Sequence, residues 1–437
     1  MSRLLLGCIA DDFTGATDLA NNLVRSGMRV IETIGVPGPL EPANAPLEAD
    51  AIVIALKSRT IPRSDAVAQS LHACRWLRKH GAQQIYFKIC STFDSTPAGN
   101  IGPVIESLMG ELSCKFSIAT PAFPDTGRTV FNGYLFVGDM LLSESGMRNH
   151  PLTPMTDANL VRVLQAQLSH SEGRKVGLIS YRTVAESAES ILRQIDELRS
   201  EGFDLAIVDA ISNDDLIRLG AALRDAPLVT AASGLALGLP LSWGFHPTQE
   251  SSRLPQAEGY KAIVSGSCST ATRGQVLRFV RNGGAAHALE PERLAANLEE
   301  EMAEALAWAA SCWRENPALP LLIYSTADPT AVEAAQSKLG VEQAGAIVEH
   351  ALSLVAQGLV ECGAGMLIVA GGETSGACVQ ALCIRRLQIG PQIDAGVPWC
   401  YAAIPLRHSG LHVALKSGNF GSEDFFSKAF DLLTPTL

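Results

Sequence analysis

Short apolar runs alternate with amphipathic segments along most of the chain, and this alternation constrains the fold more than any other feature of the sequence. Each run is long enough for one buried strand, and most intervals have the apolar spacing of a helix. Alternation of this kind predicts open α/β sheets whose strands are mainly parallel and flanked by helices. In the first half the predicted strands are residues 4–10, 30–34, 51–55, 84–88, 116–119, 176–180 and 205–208, and the predicted helices include residues 15–25, 65–80 and 187–200.

The length and one change of composition predict two domains. A chain of 437 residues is longer than a typical single domain. The stretch 242–259 is polar, contains two prolines and lacks helical periodicity, so we place the boundary there and expect domains at residues 1–245 and 258–437. Beyond it the α/β pattern restarts, with predicted strands at residues 262–265, 287–289, 321–325 and 367–370 and predicted helices at residues 270–282, 291–315 and 329–358.

One segment of the first half departs from this pattern. Asn132 and Gly133 lie between β-branched and aromatic residues in the stretch 128–137. An Asn-Gly pair in that setting favours the tight turn of a β-hairpin. We therefore expect a projecting hairpin in the first domain, in addition to its sheet.

The composition argues against several classes of protein. A hydrophobic fraction of 47% indicates a globular chain, and a formal net charge of -11 without a basic run argues against nucleic acid as a partner. The ten cysteines are irregularly spaced and form no Cys-x-x-Cys pair, which argues against a zinc site and favours a reducing, cytoplasmic location. The N-terminal apolar stretch is too short for a signal peptide, and the longest membrane-like run, residues 228–243, falls short of the ~20 apolar residues of a spanning helix.

Two adjacent carboxylates, Asp11 and Asp12, follow the first predicted strand. Ligands of open α/β sheets bind beyond the carboxyl ends of the strands, so both side chains are candidates for a site. The pair can bind Mg²⁺, accept hydrogen bonds from sugar hydroxyls or act as a base. Alternatively, one of them, or Thr14, simply caps the following helix.

Further polar side chains follow the predicted strands 51–55 and 84–88. Arg59 can clamp a carboxylate through two parallel hydrogen bonds, or it is a solvated loop arginine. After the strand 84–88 a dense polar cluster at residues 88–100 comprises Lys88, Ser91, Thr92, Asp94, Ser95, Thr96 and Asn100. Such a cluster is suited to a small polyhydroxy ligand, and the alternative is a set of caps and turns.

The second half contains three glycine turns with hydroxyl side chains. Glycines let the backbone approach a ligand closely, and free N–H groups at a helix start attract anions. The turns contribute Ser265, Gly266, Ser267 and Ser269; Gly371, Gly372, Glu373, Thr374 and Ser375; and Gly418. Individually each is explained equally well by ordinary turn chemistry, but together they predict one site that binds phosphates.

Known nucleotide-binding fingerprints are absent from the sequence. There is no GxxxxGK[ST] loop, and no GxGxxG opens a helix after the first predicted strand. Phosphate binding therefore depends on the three glycine turns. Glu373 is a candidate metal contact or an acceptor for an adenosine ribose, and the sequence does not separate the two.

Together these motifs resemble the four-carbon acid sugar kinase family, and the resemblance covers nearly the whole chain. The motifs that carry it are ADDFTGATD at 10–18, SRT at 58–60, KICSTFDSTPAGNIGPV at 88–104, RTVFNGYLFV at 128–137, SGSCSTAT at 265–272, GGETSG at 371–376 and SGNFG at 417–421. Each motif is short, but the combination is specific. Within the family, CSTFDSTPAGNIGPV resembles the branch that acts on 3-oxo acids, since Pro97 and Ala98 stand where threonate and erythronate kinases typically carry an arginine-containing phrase.

The resemblance implies an acid-sugar-binding first domain, an ATP-binding second domain and Mg²⁺-dependent transfer of the terminal phosphate to the primary hydroxyl of a four-carbon 3-oxo acid. It implies acid-sugar contacts at Asp11, Asp12, Arg59, Lys88, Ser91, Thr92 and Ser95, and nucleotide contacts at Ser265, Gly266, Ser267, Ser269, Gly371, Gly372, Glu373, Thr374, Ser375 and Gly418. As a hypothesis, Asp12 or Asp94 orients or deprotonates the attacking hydroxyl, and Lys88 neutralises charge on the transferred group. The resemblance assigns no metal ligands.

Two other functions stay open. A threonate or erythronate kinase of the same family would use the same ATP site. A non-catalytic sensor of a sugar acid or nucleotide is the alternative from another class, although a sensor has little use for acidic residues together with phosphate turns. We expect small-molecule partners, no nucleic acid, no membrane, and a homodimer.

Overall fold

The computed structural model describes residues 4–38, 49–149, 153–169, 173–325 and 341–433. Its chain divides into two compact units, a first unit of Met1–Ser252 and a second unit of Arg253–Leu437. The division lies inside the polar stretch 242–259.

A parallel sheet forms the centre of the first unit. Its described strands are β1 (Leu6–Ala10), β2 (Val30–Ile34), β3 (Ala51–Ala55), β4 (Gln84–Lys88), β5 (Ser117–Thr120), β9 (Val176–Ile179), β10 (Leu205–Val208) and β11 (Leu228–Ala231). They pair in the order β2-β3-β1-β4-β11-β5-β10-β9, and every pairing is parallel. Strands β1, β3 and β4 are buried on both faces, so they are continuous apolar runs in the sequence. The predicted strands of this half are confirmed to within two residues at each end.

Helices follow most of these strands. In the first unit they are Phe13–Arg25, Arg63–Lys79, Ile101–Glu111, Leu160–Gln167, Tyr181–Glu186, Ala188–Ser200, Asn213–Ala222 and Leu239–Ser242, with short 3-10 turns at Pro124–Thr126, Leu142–Glu144, Gly146–Asn149 and Ser233–Leu237. The helix predicted at 187–200 begins one residue later, because Ser187 is its N-cap and accepts a hydrogen bond from the Ser190 N–H at 3.2 Å. Alternation of strands and helices is thereby confirmed.

The hairpin is also confirmed, as part of a small antiparallel sheet of β6 (Arg128–Phe131), β7 (Tyr134–Val137) and β8 (Met140–Leu141). Asn132 and Gly133 form its turn with φ angles of 50° and 75°, the left-handed geometry that favours this dipeptide. The buried carboxylate of Asp209 accepts hydrogen bonds from the backbone N–H groups of Asn132 at 2.7 Å, Gly133 at 2.8 Å and Tyr181 at 2.8 Å. The turn is thus fastened to the end of β10.

We expect Asp209→Ala to lower the free energy of unfolding by about 2–4 kcal/mol, because it leaves one buried and two partly buried N–H groups without their acceptor. Asp209→Asn keeps one acceptor oxygen and should lose less. The matched control is Asp204→Ala, which removes an exposed hydrogen bond from the Lys175 N–H and a long ion pair with Arg174 at 3.6 Å and should change stability by less than about 1 kcal/mol. Urea denaturation measures all three, and equal losses for the Asp209 and Asp204 variants would contradict the role of Asp209.

The second unit contains a sheet that is parallel on one side and antiparallel on the other. Its described strands are β12 (Tyr260–Ser265), β13 (Ala285–Ala288), β14 (Leu321–Tyr324), β15 (Ala364–Ala370), β16 (Arg386–Asp394), β17 (Val397–Ile404) and β18 (Arg407–Lys416). They pair in the order β13-β14-β12-β15-β18-β17-β16. The pairings from β13 to β18 are parallel, and the last two are antiparallel.

The helices of the second unit are Thr270–Arg281, Pro291–Ala296, Leu298–Glu315, Val341–Glu361, Gly372–Ala381 and Phe425–Lys428, followed by a 3-10 turn at Ala429–Leu433. The single helix predicted at 291–315 is two helices. Asn297 separates them with an extended backbone and caps the second by accepting a hydrogen bond from the Glu300 N–H. The part of the predicted helix 329–358 that precedes residue 341 lies outside the described residues.

Strands β16, β17 and β18 are missing from the sequence prediction. Gly390 and Pro391 interrupt β16, and Gly410 interrupts β18, so neither segment is the uninterrupted apolar run by which buried strands are identified. Tertiary pairing overrides these breakers, because β17 lies between β16 and β18 and hydrogen-bonds to both.

Within the described ranges, no helix is both long enough and apolar enough to cross a bilayer.

Candidate active site

In the first unit, the strand order brings three of the predicted motifs to one edge of the sheet. Strand β1 lies between β3 and β4, and its last residue, Ala10, is in register with Ala55 and Lys88. The segments that leave these strands therefore start side by side. The backbone carbonyl of Asp11 accepts hydrogen bonds from the N–H groups of Ser58 at 2.9 Å and Arg59 at 3.1 Å, which fixes the second segment against the first.

The guanidinium of Arg59 is the centre of this site. Its Nε and Nη2 bind the Asp11 carboxylate at 3.0 and 2.8 Å, and Nη2 also donates to Asp12 Oδ1 at 2.6 Å. Its Nη1 forms a longer ion pair with Asp94 Oδ2 at 3.6 Å. The two-nitrogen edge predicted to clamp a substrate carboxylate therefore binds Asp11 in this structure. Within the described part of the chain, Nη1 makes just this long ion pair, so it is the nitrogen that can take an additional anion.

The two adjacent aspartates differ in their tendency to ionise. Burial raises the pKa of Asp11, and the positive charge of Arg59 offsets this only in part. Burial also acts to raise the pKa of Asp12, but the charges of Arg59 and Lys88 and a hydrogen bond from the Thr14 hydroxyl, at 2.9 Å, outweigh it and lower the pKa overall. Two carboxyl groups with pKa values shifted in opposite directions are typical of acid–base sites. Asp12 is accordingly the better candidate for a carboxylate that accepts a proton.

Lys88 is buried at the end of β4, and its Nζ donates to the carbonyl of Ile89 at 2.8 Å. A side chain at position 15 would collide with Asp12 Oδ1 and with Lys88 Nζ. Gly15 therefore allows the ammonium and the Asp12 carboxylate to approach the start of the helix Phe13–Arg25. Asp12 is the N-cap residue of that helix without a short capping hydrogen bond from its side chain, but interaction with the Gly15 backbone N–H helps to lower the pKa of its carboxyl, so the capping alternative stays open.

The polar cluster after β4 is a turn whose backbone is held in an unusual conformation. Phe93 has φ of 51° and a completely buried ring, and non-glycine residues seldom adopt this left-handed geometry. On either side of it, the hydroxyl of Thr92 donates to Asp94 Oδ1 at 2.5 Å. Ser91 is partly exposed, whereas Thr92 and Ser95 are buried.

Two amides that are absent from the predicted contacts hold these segments in place. The Asn100 side-chain amide donates to the carbonyls of Ser58 at 3.0 Å and Ile61 at 2.8 Å. The Gln167 amide donates to Ser95 Oγ at 2.8 Å and to the Thr96 carbonyl at 2.9 Å. Asn100 lies inside the polar cluster and so carries a sequence signal, whereas Gln167 lies on a distant helix and carries none.

In the second unit the three glycine turns also follow neighbouring strands. Ser265, Ala370 and Lys416 end β12, β15 and β18, which pair in that order. The backbone is bonded across the turns, with the Gly266 N–H donating to the Ala370 carbonyl at 3.0 Å and the Gly371 N–H donating to the Lys416 carbonyl at 2.8 Å. The structure thus brings the three turns together, as the hypothesis of one phosphate site requires.

Close approaches explain why these turns contain glycine. A side chain at Gly266 would collide with the Thr374 hydroxyl, and one at Gly418 would come within 2.5 Å of Ser267 Oγ. Gly371 has φ of 131°, which side chains rarely allow. The Ser269 hydroxyl accepts from the Thr272 N–H at 3.2 Å as N-cap and donates to the Gly418 carbonyl at 2.5 Å.

Two hydroxyls near these turns lack a hydrogen-bond partner in the described part of the chain. They are Ser375 Oγ, which is completely buried, and Ser325 Oγ, which is nearly so. Buried polar atoms are usually paired, so both are candidates for contact with a ligand. Ser375 is among the predicted contacts, in the first turn of the helix Gly372–Ala381 with Gly372 and Glu373. Ser325 is not, because a single serine after a strand is no motif.

No cluster of three or more His, Cys, Asp or Glu side chains suited to hold a metal ion occurs in the portion of the chain that the structure describes. A cation carried by a nucleotide needs fewer protein ligands, since Mg²⁺ is usually bound through one or two carboxylates, waters and the phosphates themselves. The donor set around the three turns, which consists of N–H groups and hydroxyls, is suited to phosphate oxygens.

The sequence matches two family profiles, one in each unit. Residues 6–239 match a family described as a sugar-binding N-terminal domain. Residues 262–426 match one described as a nucleotide-binding C-terminal domain. The first match contains the Arg59 site, and the second contains the three glycine turns.

Curated relatives resemble the chain over nearly its full length. A 3-oxo-tetronate kinase of Pseudomonas savastanoi pv. phaseolicola is 53% identical and covers 99% of this chain and 98% of its own. A 3-oxo-tetronate kinase of Salmonella typhimurium is 45% identical and covers 98% of each chain. Among solved structures, a Haemophilus influenzae protein of the DUF1537 family matches with a TM-score of 0.83 and 42% identity, covering 98% of this chain and all of its own.

Proposed function

We propose that this chain, which belongs to the family that combines a sugar-binding N-terminal domain with a nucleotide-binding C-terminal domain, is an ATP-dependent kinase that phosphorylates the terminal (4-) hydroxyl of 3-oxo-tetronate. The observation that carries the proposal is its 53% identity, over 99% of its length, to a 3-oxo-tetronate kinase. The product would be 3-oxo-tetronate 4-phosphate together with ADP.

The first unit would bind the acid sugar. Arg59 Nη1 is suited to the substrate carboxylate, and Ser91, Thr92 and Ser95 supply hydroxyls beside it. Asp11 fixes the guanidinium by two hydrogen bonds at 2.8 and 3.0 Å. Arg59 would therefore contribute both a binding nitrogen and the positive charge that keeps Asp12 ionised.

The second unit would bind ATP through Ser265, Gly266, Ser267 and Ser269, through Gly371 to Ser375, and through Gly418. The glycines allow close approach of the phosphates to the backbone, and the first turn of the helix Gly372–Ala381 directs backbone N–H groups towards its start, where anions bind. Glu373, in the first turn of that helix, stays a candidate for a metal or ribose contact. Mg²⁺ bound with ATP would neutralise negative charge on the phosphates.

The reaction breaks the bond between the terminal phosphorus of ATP and its bridging oxygen, and forms a bond between that phosphorus and the substrate oxygen. The hydroxyl proton must leave, and Asp12 is the group we assign to orient the hydroxyl and accept the proton. Asp94, held by Thr92, is the alternative. Lys88 would neutralise charge on the transferred group. Catalysis would otherwise consist of positioning and of excluding water.

A coupled assay of ADP release tests the function directly. With Mg-ATP, we expect turnover on 3-oxo-tetronate and at least tenfold lower kcat/KM on threonate and erythronate, with both stereoisomers of each acid included, since loss of one well-placed polar contact costs about that factor or more. Preference for threonate or erythronate would place the enzyme in a sister branch of the family. ATP binding without turnover on any acid would favour the sensor.

Two further properties stay predictions. None of the ten cysteines forms a disulfide, which supports the proposal of a reducing, cytoplasmic location. A homodimer is tested by light scattering of the purified protein.

A further inference from the structure

A lysine that the motifs leave unassigned lies completely buried behind the nucleotide turns. Lys416 ends β18, and no part of its side chain is exposed. Its Nζ donates to Thr272 Oγ1 at 2.9 Å. It also contacts the backbone carbonyls of Ser417 at 3.1 Å, Gly418 at 3.2 Å and Phe420 at 3.1 Å.

These contacts determine which way the turn 417–421 faces. In a trans peptide the C=O and N–H groups point in opposite directions, and the described residues contain no cis peptide. Because the carbonyls of Ser417, Gly418 and Phe420 point to the ammonium, the N–H groups of Gly418, Asn419 and Gly421 point away from it. Among the described residues, these three N–H groups have no backbone partner. Successive N–H groups facing one way form a concave site for an anion.

The ammonium itself lacks a counter-charge within the described part of the chain. All four of its partners are uncharged oxygens. A buried charge is normally paired with an opposite charge. A phosphate group on the other side of the turn would supply one.

We propose that Lys416 is a positioning residue of the nucleotide site. Its ammonium turns the carbonyls of the 417–421 turn inward, so that the N–H groups of the turn face a phosphate. That phosphate is the counter-charge of the ammonium. This inference rests on the proposed function, since it takes the ligand to be a nucleoside polyphosphate.

A proton balance follows from this arrangement. Burial lowers the pKa of Lys416 to about 8, so near that pH a large part of the free protein carries a neutral amine. Bound phosphate stabilises the ammonium and raises its pKa, so nucleotide binding takes up a proton at alkaline pH. Below about pH 7 the lysine is already protonated, and the uptake should vanish.

Other titratable or charged groups lie on the segments near Lys416 and could in principle take up or release protons. They are Cys268, Arg273, Arg278, Arg281, Glu373, Cys378, Cys383, Glu423 and Asp424. None of them is a hydrogen-bond or ion-pair partner of the described Nζ. Cys268 is an exposed thiol between Ser267 and Ser269, so it is replaced by serine in the test to exclude it as the source of the proton uptake.

The test is calorimetric titration of the full chain with Mg-ADP, in pairs of buffers of different ionisation enthalpy, at pH 6.5 and 8.0. For the wild type and for Cys268→Ser we expect uptake of about half a proton at pH 8.0 and almost none at pH 6.5, as for a group that is half protonated when free. Lys416→Met should abolish the uptake and weaken Mg-ADP binding about tenfold or more. The matched control, Lys261→Met at the opposite end of the parallel strands, should keep both the affinity and the uptake.

The outcomes separate the two proposals. Absence of any Mg-ADP binding to the wild type would refute the proposed function and this inference with it. Binding without proton uptake in Cys268→Ser, or uptake that persists in a folded Lys416→Met protein, would refute the role of Lys416. Neither result would contradict the proposed kinase function. If Lys416→Met does not fold, the pH dependence of the uptake in Cys268→Ser decides the question.

Discussion

Replacing Arg59 by methionine should reduce kcat/KM for the acid substrate by about 10³-fold, the range expected when a proton-accepting group is lost. The change removes the cation that pairs with Asp11, Asp12 and Asp94. Of the two cations that lower the pKa of Asp12, only Lys88 then remains. Without Arg59, burial and like charge raise the pKa of Asp12. The carboxylate would then be protonated over a wider pH range and unable to accept a proton.

The pH profile distinguishes this effect from simple loss of substrate binding. In Arg59→Met the acidic limb of kcat/KM should move to higher pH, whereas loss of a binding contact alone would lower the whole profile without moving the limb. Arg59→Lys should be intermediate, since it keeps the charge but not the two-nitrogen edge. The matched control is Arg75→Met, which removes an exposed pair with Glu111 and should change kcat/KM less than twofold. If Arg59→Met kept the kcat/KM of the wild type, the proposed role of Arg59 would be wrong.

Replacing Glu32 by glutamine should make the protein progressively more stable than the wild type as the pH rises. Glu32 is completely buried on β2, its Oε1 accepts from the Thr17 hydroxyl at 3.2 Å, and its Oε2 has no partner in the described structure. Burial raises its pKa from 4.5 to about 8, so the folded state retains a proton that the unfolded state loses.

The sign of the effect follows from that difference. The stability that the retained proton confers is fully present below pH 4.5 and is lost as the pH rises to about 8. Glutamine has no proton to lose, so the difference in unfolding free energy, variant minus wild type, should increase by about 3–5 kcal/mol between pH 4 and pH 9. Urea denaturation across this range measures it. Glu186→Gln, on an exposed side chain, should give a difference that does not vary with pH, and a flat difference for Glu32→Gln would contradict the prediction.

The sequence predicts the sheet of the first unit well because its strands are buried on both faces. Such strands are continuous apolar runs, and the residues that follow them are the polar motifs. Strands β16 to β18 are different, because their glycines and a proline conceal them and only pairing in the folded chain identifies them. The helix break at Asn297 escapes prediction for a similar reason, since the apolar spacing continues through the break.

Prediction of the site depends on the kind of role that each residue has. Residues in polar motifs at strand ends, such as Asp12 and Thr374, are visible in the sequence, and the structure places them where the motifs meet. Residues that hold a motif from behind are not visible. Gln167 lies more than 70 positions from the serine it binds, and Lys416 looks like the last residue of a strand. The two-nitrogen edge of Arg59 was predicted to bind a carboxylate, but its pairing with Asp11 was not predicted, because it depends on two loops that are distant in sequence.

The left-handed backbone at Phe93 affects which substitutions the loop can accept during evolution. The buried ring anchors the turn from the core side, whereas the buried hydroxyls of Thr92 and Ser95 hold it through Asp94 and Gln167. Ser91 is partly exposed, so it can be exchanged without rebuilding the loop, and each exchange presents a different set of donors and acceptors to the same space. A loop of this kind can change its preference among related acid substrates through single substitutions. The packing of the Phe93 ring in the apolar core stabilises the strained backbone.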